Sequence, residues 1–240
     1  MRMPQEMTSK FCGSSESTAF NEQGLLRLDG VHPKARMKAV KERVLRELSR
    51  LKLIDSSNGG ARSLRALPPF QQIAKLSSAV KVDAHDLLCT ADVHAAIFAL
   101  TGRIALSEQG SQLLLSLGNQ GRWSLNGLNW HVDLASNPDD EILGVQAFYL
   151  LDDVMPHGGA TIALARSHRL PSEASRRLRG SLKQSNAIQE TALSFDTEIV
   201  EMSGKAGDVY LMDMRVLHTP SINATKNIRM MATTRFGLRN

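Results

Sequence analysis

Apolar and polar positions divide the chain into two textures. Over residues 34–54, Met37, Val40, Val44, Leu48 and Leu51 recur at helical spacing as one apolar stripe, with the basic residues on the opposite face. Pro33 stands at the expected first turn, and Asn58-Gly59-Gly60 closes the unit. Further helices are expected over Pro69–Val80 and Ala91–Leu100, the second stopped by Thr101-Gly102. After about residue 110 the apolar runs shorten to strand length. They are Gln112–Leu117, Leu128–Val132, Leu143–Leu151, Thr161–Ala165, Glu198–Met202, Asp208–Met212 and Ile228–Phe236, separated by Gly, Asn, Asp and Pro clusters. This spacing favours a sandwich or jelly-roll barrel over βαβ units. Residues 171–196 break the pattern as a long polar connection, expected to be either a lid or an ordinary solvated loop.

Composition narrows the class. With 240 residues, 42% apolar and 22% charged, the chain has the material for one packed domain over 1–240 and is not disordered. We divide it into helical support (1–105) and a β core (106–240). No run approaches the length of a membrane span, and the opening MRMPQEMTSKFCGSSES lacks the apolar block of a secretory signal. Cys12 and Cys89 are too few for a disulfide framework or a CxxC metal site, so a soluble, cytoplasmic protein is expected.

Charge is unevenly placed. The net charge is +5, from 29 basic and 24 acidic residues. Between Lys34 and Lys52 eight Lys/Arg face only Glu42 and Glu47, a local +6 that leaves −1 for the rest. Residues 132–165 carry no Lys or Arg but do carry Asp133, Asp139, Asp140, Glu141, Asp152 and Asp153. An acidic, histidine-bearing middle points to a cation site rather than a nucleic-acid groove.

The sharpest chemical feature is Asn129-Trp130-His131-Val132-Asp133. On extended backbone, positions i and i+2 share a side, so His131 and Asp133 can reach one metal ion. Such a triplet is weak alone and gains meaning with His218, which follows Gly207-Asp208 and the run to Asp213. Two histidines and one carboxylate on separate strands make the facial triad of non-haem Fe(II) oxygenases, leaving three positions open for co-substrate and O2. Zinc more often takes a closed tetrahedral set or a single open position. Eleven residues after His218 stands Arg229, whose guanidinium, facing inward, would hold a carboxylate bidentately at fixed distance from the metal. A 2-oxo diacid meets that demand. The alternative for Arg229 is an ordinary surface strand arginine.

These residues resemble the phytanoyl-CoA dioxygenase-like family of Fe(II)/2-oxoglutarate oxygenases, from roughly Phe20 to the C-terminus. The similarity is carried by Phe20–Val31, Trp130-His131-Val132-Asp133, His157-Gly-Gly-Ala-Thr161 with Ala165-Arg-Ser-His168, and His218, Asn223, Thr225 and Arg229. It implies a double-stranded β-helix (jelly-roll, cupin-like) core with N-terminal helices against one sheet. It further implies His131, Asp133 and His218 as iron ligands, Arg229 as partner of the 2-oxoglutarate C5 carboxylate, and Thr161 and Asn129 as further co-substrate contacts. The implied function is oxidation, above all hydroxylation, of an unactivated C–H bond of a small molecule, with release of succinate and CO2. Asp133 in the carboxylate position disfavours halogenation. Two positions depart from the pattern: Pro220 replaces a serine that assists the arginine, and Ala165-Arg166 replaces Pro-Gly, setting a charge beside the expected pocket.

Other readings compete. His168, 35 residues after Asp133, is a rival third ligand; His157 reads as a turn residue, and His32, His85 and His94 as surface or core histidines. No G-x-S-x-G elbow supports Ser/His/Asp hydrolysis. A nucleic-acid demethylase of the same superfamily is suggested by the basic helix with Arg229 and Arg235, although aromatics are scarce at 5%. A non-catalytic binding module keeping the fold is the other alternative. Arg176, Arg177, Arg179 and Lys183 in the 171–196 segment would favour a substrate that is anionic or carrier-bound.

Overall fold

A computed structural model describes residues 11–54, 59–107, 109–135 and 137–239. The polar lead through residue 10 and Asn58 lie outside the described residues. The N-terminal part supplies helices α1 (Ser14–Gln23), α2 (Lys34–Arg50), α3 (Gly59–Arg65), α4 (Pro69–Ala79), α5 (His85–Leu88) and α6 (Ala91–Thr101), with strand β1 (Leu25–Leu28) after the first. The predicted stripe of α2 is buried: Met37, Val40, Val44 and Leu48 are fully enclosed. Helices α4 and α6 stand within a residue of their expected ends because their apolar spacing and end signals agree.

Strands β2 (Ile104–Leu106), β3 (Gln112–Ser116), β4 (Gly144–Leu150), β5 (Thr161–Ala165), β6 (Glu198–Glu201), β7 (Val209–Asp213), β8 (His218–Pro220) and β9 (Arg229–Arg239) complete the fold with β1. They form two antiparallel sheets. The larger runs β1-β7-β4-β9-β2, with β3 also on β9; the smaller runs β6-β5-β8.

Side-chain alternation assigns each sheet face to a layer. On β9, Met230, Ala232 and Phe236 join Val145, Ala147 and Tyr149 of β4 under the N-terminal helices. The opposite positions, including Phe148, Leu150 and Met231, meet Ala163 and Ala165 of β5 between the sheets. The outer face of β5, Ile162 and Leu164, has its own cover.

That cover corrects the expectation for 171–196. The segment is neither a loop nor without regular structure: it forms helices α7 (Ser172–Gln184) and α8 (Ile188–Leu193). Leu178, Leu182, Ile188 and Ala192 are buried against Ile162, Leu164, Trp130 and Leu217. The stripe is narrow among polar residues, which hides the helix in the sequence. Leu128–Val132, expected as a strand, has one isolated bridge, at His131, yet Leu128 and Trp130 still alternate inward. Among the described residues, no helix is long and apolar enough to cross a membrane.

Removing Leu178 or Leu182 takes a fully buried side chain from this layer. Each Leu→Ala change should cost about 2–5 kcal/mol. Hydrogen exchange should show protection lost first over α7 and α8, whereas unchanged melting and exchange in the double variant would contradict this docking.

Candidate metal centre

Backbone pairing builds the site before side chains enter. His131 and His218 form an antiparallel bridge, with His131 N–H donating to the His218 carbonyl at 3.0 Å and His218 N–H returning at 2.9 Å. The pairing brings the two rings to 4.3 Å between centroids. Asp133 is fixed two residues on, its N–H donating to the Met214 carbonyl at 3.1 Å.

Both imidazoles are oriented in the same way. Nδ1 of His131 lies 3.0 Å from the Asn129 carbonyl, and Nδ1 of His218 lies 3.0 Å from the Val216 carbonyl. With Nδ1–H donating there, each Nε2 presents its lone pair, the form a metal ligand needs. Burial first, then the neighbouring His131, hold His218 down to about 4, so it is neutral at ordinary pH. One ligand atom from each of His131, Asp133 and His218 falls within 4.8 Å of the others. His168 is not part of this cluster: its Nε2 lies 3.1 Å from the Asn21 carbonyl. Its ring packs on Gly24, whose φ of +76° closes α1 and where a Cβ would strike both His168 and Val216.

Asp133 has a partner that the motif does not reveal. Arg235 of β9 donates from Nε to Oδ2 at 2.7 Å and from Nη2 to Oδ1 at 3.1 Å. Burial alone would raise the Asp133 carboxyl, but the Arg235 hydrogen bond and then the nearby His218 outweigh it and hold the group below its ordinary value. Spacing gives no sign of this contact because it joins chain positions 102 residues apart.

Arg229 shows the converse state. It is 3% exposed, and Nη1 donates to the Leu114 carbonyl at 3.0 Å, while Nε and Nη2 are buried without a partner. Burial pulls the guanidinium down to about 9, still charged at neutral pH. Its open Nε–Nη2 edge is the edge with which Arg235 grips a carboxylate, so the donor chemistry fits a buried carboxylate. Asn223 anchors the approach to β9: its Nδ2 donates to the Ser116 and Asn227 carbonyls, and its Oδ1 accepts from Thr225 Oγ1 at 2.8 Å. Asn223 and Thr225 thus shape the turn that delivers Arg229.

A cavity of about 170 Å³ opens beside the cluster, bordered by His131, His218, Thr161 and Arg235 and by apolar side chains that include Phe70 and Phe148. Arg229 does not border this cavity: it donates to the backbone carbonyl of Leu114, which does, and lines a separate small pocket with Val154, Gly158 and Thr225. Asn129 is exposed and faces a separate outer cleft; its backbone carbonyl, rather than its amide, serves His131. Pro220 lines the cavity, and Ser221 is engaged elsewhere, donating to the Ala160 carbonyl. Arg166 corrects its expectation: the side chain turns to the Asp196 carbonyl at 2.8 Å and to Glu198 at 3.6 Å, and it does not border the cavity. His157 is a turn residue with φ +61°, stacked on Trp123.

Comparison with known proteins bears on the family and the fold. The family model "Phytanoyl-CoA dioxygenase (PhyH)" matches residues 20–231. Among solved structures, the non-heme alpha ketoglutarate dependent carbocyclase SnoK from nogalamycin biosynthesis superposes with a TM-score of 0.62 at 16% identity, covering 96% of this chain and 85% of the other. EctD from S. alaskensis, crystallised with 2-oxoglutarate and 5-hydroxyectoine, gives 0.61 at 19%, covering 99% and 78%. The epimerase SnoN gives 0.55 at 16%, covering 93% and 82%. At these identities the structures speak for the fold. No curated protein sequence matches the chain.

If Arg235 fixes Asp133, truncating it should loosen the cluster's hold on a divalent ion. Arg235→Ala should weaken Co(II) binding by about 10–100-fold, measured by absorption titration, with partial recovery in Arg235→Lys. Equal affinity in all three proteins would show that the ion pair does not position the carboxylate.

Proposed function

This chain belongs to the phytanoyl-CoA dioxygenase family of Fe(II)- and 2-oxoglutarate-dependent, O2-using oxygenases, and on that premise we propose that it hydroxylates an unactivated C–H bond of a small molecule. The observation that carries the reading is the His131–Asp133–His218 cluster, with each Nδ1 held at a backbone carbonyl so that Nε2 is left free, and a buried arginine with an unfilled Nε–Nη2 edge.

In this reading His131, Asp133 and His218 hold the iron. Three protein ligands leave room for a chelating co-substrate and O2. When bound, iron and O2 would supply the oxidising power, the 2-oxo acid giving up two electrons as it leaves as succinate and CO2 and the substrate C–H bond giving the other two. The protein supplies position and exclusion. Arg229 would receive the far carboxylate on its Nε–Nη2 edge, and Thr161, which borders the cavity, would add a hydroxyl. The carbonyls of Asn129 and Val216 keep the two imidazoles from rotating. Arg235 steers Asp133 and keeps it ionised. Phe70, Ile73 and Phe148 give the cavity an apolar wall against which the reacting carbon would rest.

The two antiparallel sheets with the cavity between them support a double-stranded β-helix as the finer description of the core. We read residues 1–240 as a single domain, with 1–105 as support and 106–240 as core. Within it α7 and α8 cover the smaller sheet, and α7 walls the outer cleft.

Two sets of variants test this. Replacing His131, Asp133 or His218 by Ala should abolish stoichiometric Fe(II) binding and 2-oxoglutarate-dependent succinate release, and His168→Ala should preserve both. Retention in His218→Ala with loss in His168→Ala would overturn the ligand set. Arg229→Ala should weaken 2-oxoglutarate binding to the anaerobic Fe(II) protein by about 2–5 kcal/mol, roughly 30-fold or more. Thr161→Val should cost about 0.5–1.5 kcal/mol. Unchanged affinity in Arg229→Ala would assign the carboxylate to another anchor.

A further inference from the structure

The helix-facing side of the larger sheet, mostly apolar, holds a polar cluster around Cys89 in the short link between α5 and α6. Its Sγ lies 3.2 Å from His85 Nδ1, 3.4 Å from Thr234 Oγ1, and 3.6 Å from both Ser111 Oγ and Tyr149 Oη. Sulfur is larger than oxygen, so these are hydrogen-bonding distances.

Local structure explains the convergence. Cys89 N–H donates to the His85 carbonyl at 2.8 Å, which closes α5 and sets the two side chains at i and i+4. Side chains alternate on β9, so Thr234 turns toward the helices while Thr233 and Arg235 line the reaction cavity. Tyr149 makes the same turn on β4. Ser111, just before β3, lies 2.6 Å from Thr234 Oγ1 and 3.1 Å from His85 Nδ1. Tyr149 and Thr234 are buried, whereas Cys89 and His85 are half-buried and stand at the edge of this layer.

The cluster is rich in donors. Three hydroxyls, each with one proton to give, surround one sulfur and one imidazole nitrogen. Burial first, then the neighbouring Cys89, hold the Tyr149 phenol well above its ordinary value, so it stays a donor. The sulfur is thus placed to accept from hydroxyls and, through its own proton, to donate to His85 Nδ1. Hydrogen bonds to a charged atom are stronger than those to a neutral one, so the existing contacts strengthen as that proton crosses to the ring. Among the described residues Cys89 and His85 belong to no group of three metal-ligand side chains. Proton transfer, rather than metal binding, is what the pair offers.

We infer that Cys89, with His85 as its base, is a nucleophilic thiol that hydroperoxides oxidise to sulfenic acid. His85 Nδ1 takes the thiol proton, and the sulfur attacks one peroxide oxygen. The S–O bond forms as the O–O bond breaks, and the departing oxygen takes the proton back from His85, leaving as water when the oxidant is hydrogen peroxide. Sulfur gives up two electrons and the peroxide accepts them. Tyr149 and Thr234 donate to the sulfur while it carries charge. The site does not depend on the metal centre, which lies across the sheet.

The test uses the full-length Cys12→Ser protein, which removes the other cysteine, with a chelator present so that peroxide meets no iron. Hydrogen peroxide is added at neutral pH, and sulfenic acid is trapped with dimedone and located by peptide mass spectrometry. The folded protein should form the Cys89 adduct about tenfold faster, or more, than the same chain unfolded in guanidinium, where no neighbour takes the proton. His85→Gln should slow the folded rate by about tenfold. Tyr149→Phe should slow it by about three- to tenfold, for one lost hydrogen bond. Both variants should match the parent once unfolded, and His85→Gln should melt as the parent does, which separates reactivity from stability. Folded Cys89 that reacts no faster than unfolded Cys89 would overturn the inference, as would the parent rate in folded His85→Gln.

Discussion

Two backbone hydrogen bonds between His131 and His218 set the geometry on which the site depends. They join an irregular segment to the edge strand β8, and they place two imidazoles whose positions are 87 residues apart at one spot. From there the rest follows locally. Each ring is held by a carbonyl two residues behind it, and Asp133 follows His131 on the same side. Side-chain packing alone would not hold such an arrangement, because clustered polar groups gain little until their hydrogen bonds are complete.

Arg235 and Arg229 illustrate one rule applied twice. A buried or half-buried guanidinium is costly unless a carboxylate completes it. Arg235 already has one, within the chain. Arg229 spends one nitrogen on the Leu114 carbonyl and leaves an edge unfilled at 3% exposure, a state that a soluble dicarboxylate would relieve. Both lie on the inward face of β9, six residues apart, so one strand holds the Asp133 carboxylate and presents the arginine proposed as co-substrate anchor.

Much of this was legible in the sequence, for identifiable reasons. Helices α2 and α6 each bury four apolar side chains, and β5 was bounded correctly because its run is short and apolar after Thr161. The triad was visible because ligand types at i and i+2 are rare enough to mean something beside a distant histidine and arginine. What stayed hidden depends on contacts across the chain. Helix α7 looked like a loop because Leu178 and Leu182 are its only buried positions. Arg166 looked like a pocket charge because its partners, Asp196 and Glu198, lie some thirty residues on. The grip of Arg235 on Asp133 has no local signature at all. Strands β1, β2 and β8, of three or four residues, were too short to stand out.

The central claim is that His131, Asp133 and His218 together hold iron, with Arg229 holding the co-substrate. Anomalous diffraction at the iron absorption edge, from crystals grown anaerobically with Fe(II) and 2-oxoglutarate, addresses it most directly. The account predicts one iron peak within bonding distance of Nε2 of His131, Nε2 of His218 and a carboxylate oxygen of Asp133, with 2-oxoglutarate running from that peak to the Nε–Nη2 edge of Arg229. A peak shared with His168, or a co-substrate carboxylate seated away from Arg229, would contradict it.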